Sequence, residues 1–318
     1  MDLKKFVILG GAGFIGSHFV DSLLNKGHVV RVIDNFCSGT QKHIQSHLHN
    51  PRFSLRIQNI EETSKLVEAV ENYDTIIHLA SNPDIARAAE EPRIDFLQGT
   101  VLTESVAEAA RITGIREILY ASGSGVYGDQ GEEYLQETSS LHPISTYGAS
   151  KAAGELLLES YSYMFGIRCK IFRFANVVGG RQTHGVGYDF IRRLKSKPSA
   201  LHILGNGEQS KPYIHVSDIV RGALLVGENN QTNYDVFNIS TPDHISVNEI
   251  AEIAIRVSGI SRSNIEFSFS GGNRGWKADV PIVRLGAEKI RSLGWEPVYT
   301  SYAAIEKSLV EMSAEINR

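Results

Sequence analysis

Tyr147 and Lys151 stand four residues apart in STYGASKAAGELLLESYSYMFG (145–166), a long helical pattern. That spacing puts both side chains on one helix face, one turn apart. A free phenol titrates near ~10 and is a poor base at neutral pH. An ammonium beside it favours the phenolate, and lowering its pKa by ~3 units takes about 4 kcal/mol of differential stabilisation. Such a phenolate can take a proton from an alcohol while the carbon gives up hydride to a bound acceptor. By itself a Tyr-x-x-x-Lys is most often an ordinary surface pair, so its meaning depends on what precedes it.

A second cluster opens the chain. GGAGFIGSH places Gly10, Gly13 and Gly16 in a G-x-x-G-x-x-G pattern directly after the apolar run FVILG (6–10) and before an amphipathic stretch, Phe14 to Lys26. A tight turn after a strand needs backbone freedom, and a pyrophosphate needs close approach to a helix N-terminus. Asp34, 18 residues beyond Gly16 at the end of VVRVID (29–34), suits the ribose hydroxyls of an adenosine. It would repel a 2′-phosphate, so the expected cofactor is NAD rather than NADP. Ser38 and Gly39 can supply further adenosine-side contacts.

Third, LYASGSGVYGDQ (119–130) reads as a strand that ends in small residues and opens into a loop. Ser122 and Ser124 flank Gly123 and can present hydroxyls. In an ideal strand both face away from the direction of position 123, but the chain is leaving the strand there. Ser124, further into the loop, is the better placed.

These groups need a scaffold, and the first half supplies one. Short β-branched runs at 6–10, 29–34, 53–60, 75–80, 117–122 and 169–175 alternate with helical patterns. Such alternation predicts an α/β fold with a doubly wound parallel sheet. The second half mixes loops, short strands and helices, as a smaller unit would, with a late strand at 233–240. A net charge of −4 offers no basic surface for nucleic acid or anionic membrane. Cys37 and Cys169 lie far apart without metal-ligand spacing, so no metal is expected and reduced thiols are. No apolar run approaches the ~18 residues of a membrane span, and the short N-terminal run has no cleavage site behind it. The expectation is a cytoplasmic protein.

With GGAGFIGSH, DNFCSG, IIHLAS, SGSGVYGD, YGASK, FRFANVVG and YIHVSDIV in this order, nearly the whole chain resembles the extended short-chain dehydrogenase/reductase family. The resemblance is to its NAD-dependent epimerase/dehydratase branch, and within it to UDP-glucose 4-epimerase-like members. It implies a Rossmann NAD-binding domain over 1–175, with about 211–240 returning to it. A smaller C-terminal α+β domain, 176–318, would bind a nucleotide sugar. NAD contacts carry onto Phe14, Ile15, Asp34, Asn35, Phe36, Ser38, Gly39, Asn59, Ile60, Leu79, Ala80 and Ser81, with Lys151 on the nicotinamide ribose. Sugar-nucleotide contacts carry onto Gly123, Asn176, Gly185, Val186, Ile203, Leu204, Gly205, Lys211, Tyr213, Arg274 and Asp279. Lys211 replaces the usual arginine, and Asn59 the usual aspartate. Gly123 stands where the family has a serine or threonine, and Gly99 where it usually has an asparagine.

Dehydratases of this branch place an Asp-Glu pair at positions 124 and 125, and its decarboxylases a glutamate at 125. Here those residues are Ser124 and Gly125. Reversible hydride transfer without net redox change, as in C4 epimerisation of a UDP-hexose through a transient 4-keto sugar, suits such a site best. A net nucleotide-sugar dehydrogenase or ketosugar reductase is the alternative, and a non-catalytic binding protein a third. The helix after Tyr147 carries Leu156, Leu157, Leu158, Tyr161, Tyr163 and Met164, more than one apolar stripe requires. Burial against the sheet and neighbouring helices accounts for part of it. The resemblance favours a homodimer through this helix and that of residues 101–113.

Overall fold

Strand β1 (Lys5–Leu9) buries every residue after Lys5, as a strand covered on both faces must. It lies beside β2 (Val29–Asp34), which in turn pairs with β3 (Phe53–Ile57). On its other side runs β4 (Thr75–His78), followed by β5 (Glu117–Gly123). All four pairings are parallel. With β6 (Arg168–Phe174) and β7 (Tyr234–Ile239) they complete a seven-stranded Rossmann-like sheet in the order β7-β6-β5-β4-β1-β2-β3. Strand order reverses between β1 and β4, the point at which ligands bind beyond the carboxyl ends of such sheets. The computed structural model describes residues 3–82, 88 and 90–316.

The chain forms two compact units. The first runs up to Val126 and includes Ser145–Arg173 and Val220–Phe237. Its core joins Val7, Leu9 and Ile33 of the sheet to Leu66, Val106 and Leu158 of the covering helices. Helix α1 (Phe14–Asn25) follows the glycine turn, and α2 (Thr63–Val70) and α3 (Leu102–Thr113) pack on one another. Helix α4 (Thr146–Phe165) carries Tyr147 and Lys151. It is capped at its start by the Ser145 hydroxyl, which accepts from the Gly148 amide, and stopped by Gly166 in the left-handed region. Ahead of α3 a single π turn, Phe96–Val101, contains Gly99. A Cβ on Gly99 would lie 2.5 Å from Ser150 Oγ, so the glycine lets this turn press against α4. Packing absorbs Leu158 and half-buries Tyr161, whereas Leu156, Tyr163 and Met164 remain 62, 94 and 68% exposed.

The second unit comprises Tyr127–Ile144, Phe174–Ile219 and the chain from Asn238 onward. Three helices, Val186–Ser196, Val247–Val257 and Ser301–Ile316, bury Phe190, Leu194, Ile253, Ile305 and Leu309 together. Short parallel ladders join Asn176–Val178 to Tyr213–His215 and Ala200–Ile203 to Glu266–Phe269. Among the described residues, no helix is long and apolar enough to cross a membrane.

Candidate functional site

The glycine turn follows β1 at the centre of the sheet. Gly10 takes a left-handed φ of +79°, and a Cβ on Gly16 would fall 2.2 Å from the Gly10 carbonyl oxygen. The first turn of α1 therefore lies directly against the loop, with no side chain capping its amides at Gly13. These groups and the helix dipole are the donors a pyrophosphate requires. At the end of β2 the Asp34 carboxylate is held by the amides of Ala12 and Phe36, both at 2.9 Å. Gly39 brings its backbone against both oxygens, since a Cβ there would stand 3.0–3.1 Å from them. Asn35 donates to Asn59 Oδ1 at 2.6 Å, joining two further candidate residues, and Ser38 is exposed beside them in sequence. Ile60 is buried, and Ala80 approaches Gly10 closely. Phe14, Ile15, Leu79 and Ser81 are half-buried. The glycine cradle and the strand-end carboxylate fit a dinucleotide.

Tyr147 lies in the first turn of α4, half-buried as a residue, with its phenol enclosed. Burial pushes the phenol above its ordinary value, a Ser81 side-chain hydrogen bond pulls it down, and the Asp95 charge pushes it up. One turn on, Lys151 is almost fully buried and donates to the Ala121 carbonyl at 2.8 Å. Its ammonium sits 5.0 Å from the Tyr120 ring centre and 5.6 Å from that of Tyr147. Burial brings its pKa down to about 8 against the opposing charges of Glu155 and Asp95. Desolvation thus favours the neutral form of both members of the pair in the protein alone, and a phenolate requires added positive charge nearby.

The two serines of the 119–130 stretch differ. Ser122 is buried on β5, and its hydroxyl donates to Glu155 Oε1 at 2.5 Å. Ser124 opens a short 3₁₀ turn, Ser124–Val126, half-buried and without a side-chain hydrogen bond among the described residues. Gly123 ends the strand between them.

Two buried carboxylates nearby escaped the sequence reading. Asp95 accepts from Asn82 at 2.9 Å and from Thr146 at 2.7 Å. Glu155 pairs with Arg173 of β6 at 2.6 Å. Nothing in the sequence marks Asp95, but Glu155 follows Lys151 by four residues and so continues the Tyr147–Lys151 face.

In the second unit, Lys211 Nζ meets Asp279 Oδ1 at 2.5 Å, and Asp279 Oδ2 accepts from the Gly275 amide. Arg274 donates to the Asp279 carbonyl and to the Asp129 carboxylate. Gly205 closes against Gln209 and the Arg274 carbonyl, and Leu204 lies beside Gly275. Thus Leu204, Gly205, Lys211, Arg274 and Asp279 form one cluster, which Asp129 joins. Asn176 and Tyr213 face each other across a ladder. Ile203 ends its strand, and Gly185 and Val186 begin the helix 186–196. Tyr213, Ile203 and Val186 share the second core rather than the polar cluster. Among the described residues no group of three or more His, Cys, Asp or Glu is placed to hold a metal.

Comparison with known proteins matches this geometry. A profile of the NAD dependent epimerase/dehydratase family matches residues 6–240. The UDP-glucose 4-epimerase of Mycolicibacterium smegmatis is 30% identical over 314 residues, covering 96% of this chain and 97% of its own. UDP-glucuronic acid decarboxylase 1 of Danio rerio is 29% identical over 325 residues, covering 99% and 74% respectively. A crystal structure of a UDP-galactose 4-epimerase superposes with a TM-score of 0.87 at 35% identity, covering 98% of this chain and 99% of the other. The glycine turn, the Tyr147–Lys151 helix and these matches make the chain a member of the NAD dependent epimerase/dehydratase family, with NAD as its cofactor.

Proposed function

We propose that the protein is a nucleotide-sugar epimerase acting at C4 of a UDP-hexose of the glucose/galactose type. The observation that carries this reading concerns the carboxylates around Tyr147. Asp95, whose charge acts on Tyr147 and Lys151, is engaged by Asn82 and Thr146, and Glu155, whose charge acts on Lys151, by Arg173 and Ser122. Positions 124 and 125 are serine and glycine. Eliminating water or releasing carbon dioxide calls for additional acid or base groups, whereas moving one proton and returning it does not. The family resemblance to UDP-glucose 4-epimerases supports the same choice.

In this reading Tyr147 takes the proton of the C4 hydroxyl and, after the 4-keto sugar has turned over in the pocket so that its other face takes hydride back, returns that proton to the C4 oxygen. NAD, when bound, supplies reversible hydride acceptance and the positive ring that favours the phenolate. Lys151 holds the nicotinamide ribose and keeps a second positive charge near the phenol. Ser124 donates a hydrogen bond to the sugar oxygen in place of the hydroxyl missing at Gly123. Lys211 and Arg274 neutralise the diphosphate, and Asp279 accepts from the uridine ribose. A net dehydrogenase is the second reading, since oxidation of C4 alone uses the same pair.

The test is incubation of purified protein with UDP-glucose and catalytic NAD, with product stereochemistry read by NMR. UDP-galactose without net NADH is expected. With NAD supplied in excess instead, NADH formed in proportion to the UDP-glucose consumed would turn the assignment to a dehydrogenase, and carbon dioxide released from UDP-glucuronate would turn it to a decarboxylase. Tyr147→Phe is expected to abolish turnover while NAD still binds; undiminished turnover would overturn the mechanism.

A further inference from the structure

We propose that Glu155 is a positioning residue for Lys151, and that Ser122 is a strut in the same device rather than a hydroxyl that meets the substrate. Tyr147, Lys151 and Glu155 follow one another at four-residue intervals on α4, so the carboxylate lies one turn below the ammonium. Its side chain is 2% exposed. Oε1 accepts from Ser122 Oγ at 2.5 Å and Arg173 Nε at 3.1 Å, and Oε2 from Arg173 Nη2 at 2.6 Å. One carboxylate therefore ties α4 to both β5 and β6. Ser122 is the neighbour of Ala121, whose carbonyl receives the Lys151 ammonium at 2.8 Å. Holding Ser122 fixes that carbonyl, and the carbonyl fixes the ammonium. A buried ion pair alone is weak evidence for stability. This one is joined to the end of the strand that receives the ammonium.

Arg173 and Ser122 hold both oxygens of Glu155, so it acts through Lys151. The charged and titratable groups around that ammonium come from every element packed on it. They are Tyr147 and Glu155 on α4, Asp95 ahead of the π turn, Tyr120 on β5, Arg173 on β6 and His78 on β4. Burial keeps His78 neutral. Loosening Ala121 removes a hydrogen bond that favours charged Lys151, so the lysine loses its proton at lower pH and the phenol loses part of its nearby positive charge.

The inference rests on the proposed role of Tyr147 as base, and the experiment separates the two. Ser122→Ala removes one hydrogen bond and no charge, so the fold survives. Its pH–rate profile with UDP-glucose is expected to narrow, the acid limb rising and the alkaline limb falling by about half a pH unit or more. In protein labelled at the lysine ε-carbon, with Lys151→Arg identifying the resonance, NMR titration is expected to show Lys151 deprotonating below its value of about 8. Glu155→Gln, where it folds, should move both readouts the same way and further. A profile lowered uniformly with its limbs in place, or an unshifted Lys151 titration in Ser122→Ala, overturns the positioning role. Retained turnover in Tyr147→Phe overturns the underlying reading instead.

Discussion

Replacing Gly16 by alanine tests the dinucleotide site at its tightest point. The new methyl would stand 2.2 Å from the Gly10 carbonyl oxygen and 2.7 Å from the Gly11 Cα. Ordinary contact begins near 3.4 Å, so the overlap exceeds an ångström, and both neighbours are backbone with no rotamer to escape into. Overpacking of this kind costs about 1–3 kcal/mol of stability. Relief comes only by moving the turn off α1, which withdraws amides from the pyrophosphate. A hydrogen bond to a charged group contributes roughly 1.5–3 kcal/mol. Losing one weakens NAD binding by about 10- to 150-fold, since 1.4 kcal/mol is a factor of ten. Calorimetric NAD titration and a thermal melt measure the two effects. Gly114→Ala is the control: its φ is +74° at the end of α3, but nothing lies within 4 Å of its Cβ. It should lose about 1–2 kcal/mol of stability through backbone strain and leave NAD affinity intact. Wild-type NAD affinity in folded Gly16→Ala would refute the reasoning.

Ser124→Ala should lower kcat by about 10²–10³ across the whole pH range, the loss typical of one donor at a reacting oxygen; unchanged steady-state kinetics would remove it from the site. Burial alone would raise the Glu311 carboxyl, but hydrogen bonds from His215, Lys307 and the Gly180 amide outweigh it and hold the pKa at about 2. A carboxyl depressed by folding contributes stability that is complete above its ordinary value of 4.5 and lost as pH falls towards 2. Acid unfolding followed by circular dichroism should therefore be less steep over that window in Glu311→Gln, and an identical curve would contradict the assignment. Leu156, exposed on α4 with Tyr163 and Met164, fits a contact with a second copy of the chain. Leu156→Glu should convert a dimer to a monomer by light scattering, whereas a monomeric wild type at micromolar concentration would exclude that contact.

The sheet was legible because buried parallel strands leave continuous apolar runs, and the glycine turn because its spacing answers a steric demand that only glycine meets. The helix bearing Tyr147 was equally plain, with Ser145 before it and Gly166 after it. What escaped was pairing across long sequence separations. Ser122 reads as a loop-edge hydroxyl until Glu155, 33 residues away, arrives beneath it. Arg173 looks like a charge in a buried strand until that same carboxylate is seen to pair with it. The substitution at Gly99 resembled the loss of a polar group, yet in three dimensions it clears space for Ser150. Asp129 gave no sign of meeting Arg274, 145 residues further on.

The π turn at Phe96–Val101 holds one residue more than an α-helical turn would. On one side of it α3 presents Leu102, Val106 and Ala110 to the core; on the other, Asp95 reaches the first turn of α4 through Thr146. Deleting one residue there would regularise the helix but rotate everything upstream by about 100°. The core face and the Asp95 contact could then no longer be satisfied together. Chain length in this segment is thus constrained more tightly than its composition: it should accept many substitutions at exposed Phe96 or Leu97, yet reject any single-residue deletion.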